Sequence, residues 1–265
     1  MQTLKKVILP LIIIGGLFFL FGPEVIPDNL YPQEILEKAK NSDIIIIFNS
    51  GGWGNTPLEK AEDFGPIIEE IQKTLNGWGY SSIVIPYNRT KDSFSGKMTG
   101  AKDFLNSFES SSSALAEEIE FLTEKLPGKK VVIAGLSAGG AFVTKTYEKI
   151  AEGAKDSILT ITAGTPFWIK SPDSENILKL DNEGKDSLAK GEIKTLFLSL
   201  FKSPFKWVSA KISGENLPFS RITNQFVGHT YDWDTAAPEV ISFLTRAIAK
   251  GGKEDLSSLT EVKIP

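Results

Sequence analysis

The sequence predicts an α/β fold: a mostly parallel, doubly wound sheet flanked by helices. Three observations lead there. Apolar, β-branched runs at 43–48, 82–86, 131–134 and 157–163 have the length and continuous hydrophobicity of strands covered on both faces. Segments of helical spacing fall between them, so strand and helix alternate along the chain. Turn signals such as Asn76-Gly77 and Pro127-Gly128 punctuate the junctions. Right-handed crossovers between parallel strands gather the following loops on one rim, and a site is expected there.

The composition narrows the chemistry. A chain of 265 residues, 41% hydrophobic, suffices for one sizeable core, so one main domain is expected. The net charge is −4 and the cations are scattered, which argues against nucleic acid as a partner. Without cysteine there is no disulfide framework, thiolate zinc site or cysteine nucleophile, and a single histidine, His229, excludes a multi-histidine metal centre. No metal or cofactor is expected, and the oligomeric state is left open.

Residues 1–26 read as a membrane anchor or signal segment, because Lys5 and Lys6 precede an uncharged, mostly apolar run from Val7 to Gly22. No small-x-small cleavage site follows. An uncleaved anchor is therefore favoured over a cleaved, secreted form. The lysines before the run, set against Glu24 and Asp28 after it, put the amino terminus in the cytoplasm and the globular part outside. Residues 27–42 form a linker with a short helix at 32–40, and 43–250 form the main domain.

The strand at 43–48 ends in Asn49-Ser50-Gly51-Gly52-Trp53-Gly54-Asn55, a glycine-crowded loop suited to close backbone approach. A helix at 57–75 and the strand at 82–86 follow. Residues 88–113, polar, serine-rich and without periodicity, read as a surface excursion, and 114–126 as a helix. Next comes KKVVIAGLSAGGAFVTKTYE, residues 129–148, in which a buried strand turns into a helix through Gly135-Leu136-Ser137-Ala138-Gly139. Such a sharp reversal strains its central residue and needs small neighbours, here Gly135, Gly139 and Gly140. It lifts the Ser137 hydroxyl clear beside the unpaired N–H groups of a helix start.

The strand at 157–163 leads to Gly164-Thr165-Pro166-Phe167-Trp168, and a further strand at 176–180 opens into an acidic loop with Asp181, Glu183 and Asp186. Residues 193–220 are expected to be a lid or a membrane-proximal insertion, because 193–212 mixes large apolar residues with lysines. A last strand at 221–227 precedes Gly228-His229-Thr230-Tyr231-Asp232-Trp233. A helix at 238–249 closes the domain, and 251–265 is a polar tail.

Taken together, GLSAG on a strand-to-helix turn, GGWG after an early strand, an acidic loop after a later strand and GHTYDW after the last one resemble the α/β-hydrolase superfamily, particularly its serine esterase and lipase branches. The resemblance covers roughly residues 43–249. It implies a nucleophile, an acid and a base in that chain order. Two departures stand out: no histidine leads the GGWG loop, and no motif fixes the acid.

Chemistry asks for the same three groups. A serine hydroxyl needs an imidazole to take its proton, and His229 alone can do so. Asp186 is preferred as the orienting acid, with Asp181 as the alternative; Asp232 and Asp234 are weaker because the local chain would have to fold back. The amide of Ala138, with that of Gly52 or Trp53, is expected to form the oxyanion hole. Trp53, Phe167 and Trp168 are expected on the same rim, with Phe167 and Trp168 lining an apolar substrate pocket. The expected function is that of a membrane-tethered serine hydrolase cleaving carboxylic esters, lipid acyl esters among the candidates. Acyltransferase, thioesterase or peptidase action by the same residues is the alternative, as is a non-catalytic binding module on the same scaffold.

Overall fold

The structure, a computed structural model, describes residues 32–192, 213 and 228–249. The expected anchor, the lid segment, the strand at 221–227 and the tail lie outside the described residues. Among those described, no helix is long and apolar enough to cross a membrane.

Among the described residues, five strands form one parallel sheet: β1 (Ile44–Asn49), β2 (Ser82–Pro86), β3 (Lys130–Leu136), β4 (Ile158–Ala163) and β5 (Ile177–Leu180), in the order β2-β1-β3-β4-β5. The registers pair Ile46 with Val84 on one side and with Val132 on the other. Consecutive residues of the central strands are buried, as strands covered on both faces require, yet they serve two different cores. Ile44, Ile46, Phe48, Val132 and Ala134 pack on one side against α2 (Gly65–Gly77) and α8 (Trp233–Ala249). Ile45, Ile47, Val131 and Ile133 pack on the other against α1 (Pro32–Ala39), α4 (Glu109–Lys125) and α5 (Ala138–Lys149). This is a doubly wound sheet, and its strand order reverses between β1 and β3. The carboxyl ends of these two strands flank the crevice where such sheets bind ligands.

Three sequence expectations are corrected. The first helix after β1 was expected from 57, but Leu58–Lys60 is only a 3₁₀ turn and α2 begins at Gly65, where Pro66 suits a first turn. The polar stretch 88–113 is not a loop: it holds α3 (Phe94–Leu105) and the start of α4. Ser93 caps α3 by accepting from the Gly96 amide, while Ser112 and Ser113 bond back to the carbonyls of Phe108 and Glu109. Serines that satisfy themselves on the local backbone are compatible with helix despite their polarity. The closing helix begins at Trp233, ahead of Pro238, because Asp232 Oδ1 accepts the Thr235 amide at 2.9 Å. Two short helices, α6 (Glu152–Lys155) and α7 (Ser187–Lys190), complete the described elements.

Candidate active site

Ser137 joins β3 to α5 with φ 56° and ψ −117°, a conformation that L-residues rarely adopt. The bend is possible because backbones approach one another closely around it. A Cβ on Gly135 would stand 2.4 Å from the Gly139 carbonyl oxygen, and one on Gly139 would stand 2.5 Å from that of Asn49. Ser137 donates its amide to the Ala163 carbonyl at 2.8 Å, which ties the bend to the end of β4. Its side chain is partly exposed at the crevice.

The next residue after Ala163 meets the histidine. Gly164 has φ 57°, and a Cβ there would lie 2.4 Å from His229 Cε1 and 2.8 Å from Asp186 Oδ2. Ser137 and His229 thus meet adjacent residues, Ala163 and Gly164, at the tip of β4. His229 is buried, and its Nδ1 is 2.7 Å from Asp186 Oδ2. A carboxylate only accepts, so Nδ1 donates the proton of this bond.

The acidic loop and the histidine loop are packed together by design of their backbones. Gly228 (φ 74°) approaches so near that a Cβ would be 2.2 Å from the Lys185 carbonyl, and Asn182 Nδ2 donates to the carbonyls of Gly228 and Thr230. Of the carboxylates considered from sequence, Asp186 is the one that bonds the imidazole among the described residues. Asp181 accepts the Gly184 amide at 2.7 Å, Glu183 pairs with Lys185, and Asp232 caps α8. Asp186 is fully buried, and each oxygen has its own task. Oδ1 accepts the amides of Leu188 and Ala189 at the start of α7; Oδ2 accepts from His229 and, at 2.5 Å, from the Tyr231 hydroxyl. Burial pushes this carboxyl up, but the hydrogen bond and charge of His229, with the bonds from Tyr231 and Ala189, outweigh it and hold the group below the usual carboxylate value. Burial first, and then Asp186, push the Tyr231 phenol well above its ordinary value, so it stays a donor.

Across the crevice, the loop after β1 faces the bend. A Cβ on Gly51 would be 3.6 Å from Ser137 Cβ. Among the described residues, no hydrogen bond uses the amides of Gly51, Gly52, Trp53 or Ala138. Trp53, Phe167 and Trp168 are exposed at 43%, 43% and 49%. Phe167 and Trp168 meet edge to face at 5.0 Å, and Trp168 also meets Phe104. Among the described residues, no cluster of three or more His, Cys, Asp and Glu could hold a metal ion.

Sequence reading missed Tyr231, Gly164 and Arg89. Tyr231 had a readable signal, since it stands two residues from His229, where an extended segment returns to the same side. Arg89 had none, because it lies in a stretch without periodicity.

No family model matches the chain, and no curated protein does. Among solved structures, the chain is similar to Trichoderma reesei cutinase in complex with a phosphonate inhibitor, at 14% identity and TM-score 0.49, over 84% of this chain and 87% of that one. It is also similar to an iodinated complex of acetyl xylan esterase (14% identity, TM-score 0.38) and to a second acetylxylan esterase structure (15%, 0.37), each over 52% of this chain and 81% of that one. These are loose likenesses, and the chemistry of this chain follows from its own residues.

Proposed function

We propose that this chain is a serine hydrolase that cleaves carboxylic esters through an acyl-serine intermediate, with Ser137 as nucleophile, His229 as base and Asp186 as orienting acid. One observation supports it above the rest: the strained Ser137 and the His229–Asp186 pair, far apart in sequence, meet at Ala163-Gly164. Backbone strain at a hydroxyl-bearing residue is kept where it aims the hydroxyl at something.

In the proposed reaction, His229 Nε2 takes the Ser137 proton as Oγ attacks the ester carbonyl carbon. The electron pair displaced onto the carbonyl oxygen is met by the Ala138 amide and by amides of the Gly51–Trp53 loop. Collapse breaks the C–O bond, and the leaving alkoxide receives the proton from Nε2. Water, deprotonated by the same nitrogen, then releases the acid and restores Ser137. Trp53, Phe167 and Trp168 offer apolar surface beside the crevice, which suits an acyl chain more than a charged group. The apolar run of residues 7–22 is the basis for a membrane tether with the catalytic domain outside the cytoplasm. Resistance of the full-length protein to carbonate extraction tests the tether.

A fluorophosphonate probe tests the chemistry. The expected result is a stable adduct on Ser137 of the folded protein, lost in Ser137→Ala and greatly slowed in His229→Ala. Folded wild-type protein that gives no adduct would refute the reading.

A further inference from the structure

Among the described residues, the hydrogen bonds that hold the Gly51–Trp53 loop go to its carbonyls. Arg89 Nη2 donates one hydrogen to the Ser50 carbonyl (3.2 Å) and the other to the Gly52 carbonyl (3.1 Å). The Arg89 amide reaches the Gly54 carbonyl at 2.7 Å, and Thr90 Oγ1 reaches that of Trp53 at 2.8 Å. The Gly51 carbonyl closes the turn by accepting the Gly54 amide. Every carbonyl from Ser50 to Gly54 is therefore occupied, while the amides of Gly51, Gly52 and Trp53 are not, among the described residues.

Peptide geometry turns this into direction. In a trans peptide the N–H is antiparallel to the C=O of the same unit. Holding the Ser50 and Gly52 carbonyls toward the guanidinium therefore turns the amides of Gly51 and Trp53 away from it. Gly51 lies against Ser137.

A turn needs only a neutral donor to do this, yet the group used is a cation with 3% exposure. Its Cζ sits 5.0 Å from the centre of the Phe108 ring and 5.5 Å from that of Phe142, and a Cβ on Gly54 would stand 2.4 Å from its Nε. Burial is unfavourable enough to lower its pKa to about 10, against the favourable charge of Asp103, and it still remains charged at neutral pH. A charge kept at that cost does something a neutral donor does not. A guanidinium hydrogen bond draws electron density toward the carbonyl oxygen and makes the N–H of the same unit a stronger donor.

We propose that Arg89 is a positioning residue of this site: it orients and polarises the Gly51 and Trp53 amides as donors to the oxyanion formed at Ser137. This refines the sequence expectation from Gly52 or Trp53 to Gly51 and Trp53, and it rests on the serine hydrolase reading. Of the three amides, that of Gly52 belongs to a unit that the guanidinium does not hold.

The test uses the full chain with p-nitrophenyl butyrate as ester and a fluorophosphonate as trap. Arg89→Met is expected to lower kcat about tenfold to hundredfold with little change in KM, the pattern of a lost transition-state donor. Arg89→Lys, which keeps the charge, is expected to recover part of that loss. A cooperatively folded Arg89→Met protein with wild-type kcat overturns the proposal. A second measurement needs no variant: when Ser137 of wild-type protein is phosphonylated, the amide protons of Gly51 and Trp53 move downfield as they bond the phosphoryl oxygen, and Gly52 moves less. Unmoved Gly51 and Trp53 signals in a formed adduct overturn the proposal while leaving the serine reading intact. Failure to form any adduct overturns the serine reading itself.

Discussion

Tyr231 donates its hydroxyl to Asp186 Oδ2, the same oxygen that receives His229 Nδ1. The carboxylate thus spends one lone pair on orienting the imidazole and another on a phenol that cannot ionise beside it. Tyr231 Oη also lies 3.2 Å from the Leu180 carbonyl, which ties the histidine segment to the end of β5.

Tyr231→Phe keeps the buried ring and removes the donor. Asp186 lies below its ordinary value partly because of Tyr231, so its stabilisation is present above the unfolded carboxylate value and is lost as pH falls through the folded one. Weakening that depression raises the pH at which acid begins to unfold the protein. The variant is expected to lose about 1–2 kcal/mol of stability at neutral pH and to show an upward-shifted acid transition by circular dichroism. An unmoved acid transition would mean that the phenol does not hold this carboxylate.

Strain at Ser137 separates function from stability. A serine or alanine there bears the cost of a positive φ with a Cβ, roughly 1–3 kcal/mol, whereas glycine does not. Ser137→Ala is expected to be inactive with near wild-type stability. Ser137→Gly is expected to be equally inactive yet about 1 kcal/mol more stable, since the relieved strain exceeds the extra entropy of an unfolded glycine. Denaturant titration of the pair decides it, and a glycine variant less stable than the alanine variant would deny the strain.

Much of this arrangement is legible in the sequence. The runs at 43–48 and 131–134 read as strands because burial on both faces demands apolar residues at every position, and the GLSAG bend was legible because close backbone approach demands glycine. The residues that hold the site from outside were not. Arg89 and α3 lie in a polar stretch whose serines bond their own backbone, a pattern that hydrophobic periodicity does not register. The sequence left Asp181 as an alternative to Asp186; the geometry turns on Asp186 capping α7 while Asp181 closes its own turn.

Two glycines with the same sign of φ are expected to respond differently to a methyl group. A Cβ on Gly164 would press on His229 Cε1 at 2.4 Å, but on Gly184 (φ 71°) it would meet only the Lys190 side chain, at 3.3 Å. Gly184→Ala is expected to lose about 1 kcal/mol to backbone strain and to keep its activity. Gly164→Ala bears a similar strain and also displaces the imidazole, so kcat is expected to fall about a hundredfold or more. Equal activity in the two alanine variants would show that the histidine does not depend on Gly164.

Glu118 supplies a pH dependence unrelated to the site. Burial raises its carboxyl to about 7, and its buried Oε2 has no hydrogen-bond partner among the described residues. A carboxyl raised on folding binds more protons in the native state than in the unfolded one between the two values. Stability from this group is therefore full below the unfolded value and is lost as pH rises toward about 7. Glu118→Gln, which is neutral throughout, is expected to flatten that decline and to be about 1 kcal/mol more stable than wild type at pH 8. That figure is well under the full shift because part of the group meets water. Urea titrations at pH 5 and pH 8 measure it. A difference between the two proteins that is the same at both pH values would show that Glu118 ionises as an ordinary surface carboxylate.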